Sequence, residues 1–84
     1  MENKQNSQTS PIFPKKIETM TFSGALNKMI DGKSVRRLEW PEGAAGYIAP
    51  DGIMMIYREK KNYQWIVHKN DIIAVDWVVI EKHN

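Results

Sequence analysis

Two guanidinium groups and one indole occur within five residues of each other, at Arg36, Arg37 and Trp40. An arginine can donate two parallel hydrogen bonds to a phosphate, and a tryptophan ring can stack on another flat ring. These residue types at this spacing indicate recognition of an anion joined to a planar group, as in a nucleotide. The alternative also stands that Trp40 is simply a large core residue of a small domain.

A short helix is predicted just before this cluster. The apolar residues that follow Thr21 recur at i, i+4, i+7 and i+8, which predicts one apolar helical face. They are Phe22, Leu26, Met29 and Ile30. Thr21 is a suitable N-cap, and Gly32 stands where a left-handed residue would end the helix.

The rest of the chain reads as strands and tight turns. Residues 33–40 alternate as a strand does, so the two arginines are predicted to face opposite ways. Further strands are predicted at 47–49, 53–58, 63–68 and 76–80, with turns at 50–52 and 59–62 and a single capped helical turn at 70–74. One helix adjoining about five strands, without regular alternation, predicts an α+β fold in which the N-terminal helix packs on a small antiparallel sheet.

Length and composition limit the domain organisation. Eighty-four residues, of which 42% are hydrophobic, suffice for one domain. Residues 1–19 are polar or proline-containing, which predicts a disordered or linker extension before a domain at 20–82 and a tail at 83–84. A core this small would not comfortably bury three Trp and three Tyr, so we expect a homo-oligomer.

Several classes of protein are disfavoured. The chain has no cysteine, which excludes disulfides and cysteine-based zinc sites, and an intracellular setting is the expectation. It has no apolar run near the roughly 20 residues that cross a bilayer, and its N-terminus is polar. Twelve basic and ten acidic residues give a formal net charge of only +2. We therefore expect no membrane or nucleic-acid-polymer partner, and only local anion recognition.

Signatures of catalysis are also missing. The only histidines are His68 and His83, and no hydrolase or phosphate-loop motif occurs, so no catalytic residue, metal ligand or cofactor is predicted. Asp71 and Asp76 lie five residues apart and could act as paired carboxylates. The alternative is that they cap a turn and fix the start of a strand. The small-residue loop at 42–46 could likewise approach a ligand or be an ordinary connection.

Three motifs together resemble a known family. They are Thr-Phe-x-x-Ala-Leu from Thr21, Gly-Lys-x-Val-x-Arg-x-x-Trp from Gly32, and Asp-Ile-Ile-Ala-x-Asp-Trp from Asp71 after Trp65. In this combination the segment from Met20 to Lys82 resembles the phage Thoeris anti-defence sponge family of the second type. The chain departs from the usual pattern at Glu39, at residues 41–43 and in a short central segment at 47–63.

The resemblance implies a function as well as a fold. Family members bind cyclic nucleotide immune messengers, in particular cyclic ADP-ribose isomers such as glycocyclic ADP-ribose (gcADPR), and hold them without cleavage. They form homotetramers with pockets between subunits, and some take up cyclic oligonucleotides of CBASS-type defence. This implies a non-enzymatic sponge in the cytoplasm of the bacterial host. The alternatives are a structural or protein-interaction module and an enzyme that hydrolyses the messenger.

Eight residues are the expected ligand contacts under this interpretation. Phe22 and Trp40 would stack on or wall in the base and ribose. Arg37, with Arg36 as the other choice, would bind the pyrophosphate. Asn70 and Asp71 would hydrogen-bond hydroxyl groups or a base edge, and Tyr47 and Trp65 are further candidates.

Overall fold

The computed structural model describes residues 17–81. Most of the predicted N-terminal extension and the tail at 83–84 lie outside these residues. The elements in chain order are α1 (Phe22–Ile30), β1 (Ser34–Arg37), β2 (Ala45–Ile48), β3 (Met54–Arg58), β4 (Lys61–Gln64), α2 (Lys69–Ile73) and β5 (Trp77–Ile80). All neighbouring strands are antiparallel, in the order β4-β3-β2-β1-β5. The predicted α+β class, with one N-terminal helix on an antiparallel sheet of five strands, is confirmed.

The ends of α1 agree with the capping residues read from the sequence. The side chain of Thr21 accepts a hydrogen bond from the Gly24 amide at 3.3 Å, and Gly32 has φ +95° beyond the last turn. The apolar face is centred differently from the prediction, because Ala25 and Met29 are buried whereas Ile30 is 65% exposed. Ile30 lies about 100° around the helix from Met29, which carries its side chain past the edge of the packed face.

The core lies between α1 and one face of the sheet, which we call the inner face. It is built on the buried residues Ala25, Met29, Val35, Trp65 and Trp77. Trp65 packs against the backbone of β2 at Gly46, where an added Cβ atom would come within 2.5 Å of the indole. Such a distance is shorter than any normal carbon contact, so only glycine leaves room for Trp65 at this position.

Several strands are shorter than predicted. β1 ends at Arg37 because the Trp40 amide turns back to donate to the Arg37 carbonyl oxygen at 3.1 Å. The predicted strand at 63–68 instead runs from Lys61 to Gln64, and the predicted turn at 59–62 is only two residues long, Glu59 and Lys60. The register that pairs Arg58 with Lys61 leaves no room for a longer turn.

Candidate functional site

α1 covers only part of the inner face. It contacts β1, β2, β5 and α2, whereas Ile56 and Arg58 of β3 remain accessible beside the loop between β1 and β2. A groove of about 660 Å³ lies there. Its lining residues are Trp40, Pro41, Glu42, Ala44, Ile56, Arg58, Glu59, Gln64, Trp65, Ile66 and Asp71. Three of the eight predicted ligand contacts are among them: Trp40, Trp65 and Asp71.

Trp40 reaches the groove because of the turn that ends β1. Strand alternation would have placed its side chain on the outer face with Arg36, but the indole packs edge-on against Trp65 and Trp77 at centroid distances of 5.6 and 5.3 Å. Arg36 donates from Nη2 to the Trp40 carbonyl oxygen and so ties down the same turn. Trp40 is half-buried, which means that it contributes both to the core and to the groove wall.

Trp65 and Phe22 belong mainly to the core. Trp65 is only 7% exposed, and it is also among the residues that line the groove. Phe22 projects from α1 onto Trp77 and Trp65, with ring centroids 5.4 and 6.2 Å away, and does not line the groove. The aromatic wall of the groove is therefore Trp40, held in place by Trp65 and Trp77.

The side chain of Arg37 contacts two carboxylates. Its Nε donates to Asp76 Oδ1 at 2.8 Å, and its Nη1 lies 3.0 Å from Glu39 Oε2. The hydrogen bond from Arg37 holds the pKa of Asp76 below its ordinary value, against the opposing effect of burial, and Asp76 in turn raises the pKa of Arg37. Arg37 thus joins the end of β1 to the start of β5, outside the groove lining.

The remaining predicted contacts lie in different places. Asp71 lines the groove and its Oδ2 also accepts from the His68 amide, while the Asn70 amide donates to His68 Nδ1. This reciprocal pair is a capping box at the start of α2. Of the two alternatives for Asp71 and Asp76, the structure shows the capping and strand-fixing roles. Asn70 is exposed beside the groove but does not line it.

Tyr47 projects from the opposite side of the sheet, which we call the outer face. Its hydroxyl donates to Asn62 Oδ1. Arg36 also belongs to the outer face, because its register partner Val78 alternates with the inward-facing Trp77. The structure therefore does not bring Tyr47, Arg36 or Arg37 together with Trp40 in one groove.

Sequence reasoning missed most of the polar lining. The sequence predicts Arg58 only as the end of a strand, although Arg58 follows Met54 and Ile56 at alternate positions and must share their face. Glu42, Gln64 and Ile66 come from loops and strand ends, whose side-chain directions depend on the turns. Among residues 17–81 no cluster of His, Cys, Asp and Glu could hold a metal ion, and the helices found there are too short and too polar to cross a bilayer.

Comparison with known proteins adds one finding. A family model described as the Thoeris anti-defense 2-like domain (Tad2-like) matches residues 20–80. The match extends from just before α1 to the last residue of β5, and so includes every element of the fold and the whole groove. No curated protein shows significant similarity to the chain.

Proposed function

Because the chain belongs to the Tad2-like family and so has a Thoeris anti-defence role, we propose that it binds a cyclic nucleotide messenger and holds it without cleaving it. The proposed messenger is a cyclic ADP-ribose isomer such as gcADPR. Capture would lower the free messenger concentration in the cytoplasm of the bacterial host and keep the defence effector inactive. The observation that carries this proposal is the open groove between the β1–β2 loop and β3, with Trp40 as its aromatic wall.

The size and lining of the groove suit a nucleotide. Its volume of about 660 Å³ is within the range of small-molecule sites, roughly 300–1,000 Å³. Trp40 offers a ring for a base to stack on, and Gln64 and Asp71 offer polar groups for ribose hydroxyls. Arg58 supplies a guanidinium for phosphate. A core packing role alone would not require Trp40 to share a wall with these polar side chains.

Holding without cleavage fits the family, which is a sponge-type domain not known as enzymatic. The cap of α2 gives a physical reason in the same direction. His68 Nδ1 and one oxygen of Asp71 both accept hydrogen bonds from backbone amides in the cap of α2. A general base needs a free lone pair directed at the substrate, and the Nδ1 lone pair of His68 is used to hold the helix. Asp71 uses one oxygen in the cap and keeps the other for hydrogen bonds to a ligand.

Binding can be tested with two exposed isoleucines. Ile66 lines the groove and is 85% exposed, whereas Ile17 is 61% exposed and lies outside the groove lining. Ile66→Asp places a negative charge at the groove without opening the core, and should weaken gcADPR binding at least about tenfold in isothermal titration calorimetry. The matched change Ile17→Asp should leave affinity within about twofold. Equal affinity for both variants would contradict this placement of the site.

The same titration separates the alternatives. Wild-type protein that binds a cyclic oligonucleotide but no gcADPR would assign it to CBASS-type messengers. Protein that binds neither would be a structural or protein-interaction module.

A further inference from the structure

Arg58 is the arginine that the fold brings to the groove. Arg37 already contacts Asp76 and Glu39 and its side chain is only 14% exposed, while Arg36 lies on the outer face and donates to the Trp40 backbone. In residues 17–81 the ion pairs within 4 Å involve Arg37 and leave Arg58 without a carboxylate partner. The guanidinium of Arg58 instead lies over the Tyr63 ring, 4.7 Å from its centroid. A cation–π contact with a ring does not use the N–H donors of a guanidinium as a carboxylate does, so they can still bind an anion.

A second cation lies directly across the hairpin. Arg58 and Lys61 are register partners at the end of β3 and β4, joined by the two-residue turn Glu59–Lys60. Side chains of directly opposed residues project on the same side of a sheet, and like charges placed in this way repel each other. An anion bound between them would relieve that repulsion. The hairpin end therefore has a local preference for negative charge that the near-neutral composition of the whole chain does not show.

The rest of the groove has the opposite charge. Glu42 and Asp71 line it away from the hairpin, Glu59 lines it within the hairpin turn, and Arg58 is the one basic residue in that lining. A ligand that carried phosphates along its whole length would meet these carboxylates and lose affinity. A ligand with its negative charge at one end would place that end at Arg58 and its uncharged base and ribose beside Trp40.

We propose that Arg58, flanked across the hairpin by Lys61 outside the groove lining, is the phosphate-binding end of the groove and selects nucleotides with a single pyrophosphate over cyclic oligonucleotides with several separated phosphates. This inference rests on the proposed nucleotide-binding function and names the residue and the charge pattern that give it specificity. Arg37 then has a structural role, in contrast to the sequence prediction that it binds pyrophosphate.

The test compares two neighbouring cations in the full-length chain. Arg58→Gln should weaken binding of gcADPR at least about tenfold and make the remaining affinity less sensitive to salt, because a charge-assisted contact is lost. Lys60→Gln removes the same charge from the adjacent turn residue, which does not line the groove, and should change affinity less than about threefold. Arg58→Lys should fall between wild type and Arg58→Gln, because it retains the charge without the planar fork.

Specificity is tested with a second probe, cyclic triadenylate. Wild-type protein should bind it more weakly than gcADPR, and Glu42→Gln should narrow that difference by removing one opposing charge. If the wild-type protein binds gcADPR and Arg58→Gln binds it equally tightly, this inference is overturned while the proposed function stands. Equal wild-type affinity for the two probes would overturn the selectivity. A wild-type chain that binds neither probe would overturn the proposed function itself.

Discussion

At the scale of single residues, the same side-chain types serve different purposes according to where the turns place them. Arg36, Arg37 and Trp40 suggested a nucleotide site because they are adjacent in sequence, and only Trp40 reaches the groove. Strand alternation correctly predicted that the two arginines face opposite ways. It could not predict that Arg37 would pair with Asp76, because that contact joins residues 39 positions apart.

The Arg37–Asp76 pair predicts a pH-dependent contribution to stability. The folded pKa of Asp76 is depressed, so the contribution is fully present above the unfolded pKa and is lost as pH falls through the lower folded value. Asp76→Asn should lower the free energy of unfolding at pH 7 by about 1–3 kcal/mol, since both side chains are largely shielded from water. Urea unfolding at pH 7 and at pH 3 measures this, and the difference from wild type should shrink at pH 3.

Asp31→Asn is the control for that measurement, because Asp31 is exposed at the end of α1. It should change stability at pH 7 by less than about 0.5 kcal/mol. If Asp76→Asn lowers the free energy of unfolding no more than Asp31→Asn does, the Arg37–Asp76 pair contributes nothing to stability.

At the scale of elements, the sequence specified local structure better than long-range pairing. The helix caps and the β2–β3 turn were correct because Thr21, Gly32 and residues 50–52 act on their own neighbours. The β3–β4 turn was predicted two residues too long, at 59–62, since Glu59 and Lys60 are not typical residues for positive φ. That β5 pairs with β1 at the sheet edge, and that Gly46 makes room for Trp65, depend on contacts between distant segments, which no local pattern encodes.

The strained β3–β4 turn predicts a stabilising substitution. Glu59 and Lys60 have φ of +52° and +67°, where a side chain is disfavoured and glycine is not. Lys60→Gly should therefore raise the free energy of unfolding by about 0.5–1 kcal/mol in thermal or urea unfolding.

Lys33→Gly gives the comparison, at another exposed lysine whose φ is not positive. There glycine only adds freedom to the unfolded chain, so stability should fall. If Lys60→Gly and Lys33→Gly change the free energy of unfolding in the same direction, the positive φ of Lys60 does not explain the effect of Lys60→Gly.

At the scale of the whole molecule, the outer face of the sheet predicts self-association. Tyr47, Met55, Val78 and Ile80 lie on this face only partly buried, and within residues 17–81 the helix that contacts the sheet packs on the inner face. We predict a homo-oligomer, and by family resemblance a tetramer. Light scattering at micromolar concentration should show the oligomer. Met55→Glu should shift the population towards monomer, because burying a charge opposite Tyr47 in an interface costs free energy.

Wild-type protein that is monomeric throughout this concentration range would contradict the prediction. It would also remove any pocket that needs two subunits. The groove described above would then have to bind its ligand with residues of one chain alone.

Recovery of the bound messenger distinguishes capture without cleavage from hydrolysis and from no binding. The full-length protein is mixed with gcADPR, separated from unbound messenger by filtration and heated to denature it, and the released nucleotide is identified by chromatography and mass. Sequestration without cleavage predicts that the messenger leaves solution with the protein and returns intact, in proportion to the protein added. A cleaved product, or messenger that never leaves solution, would contradict it.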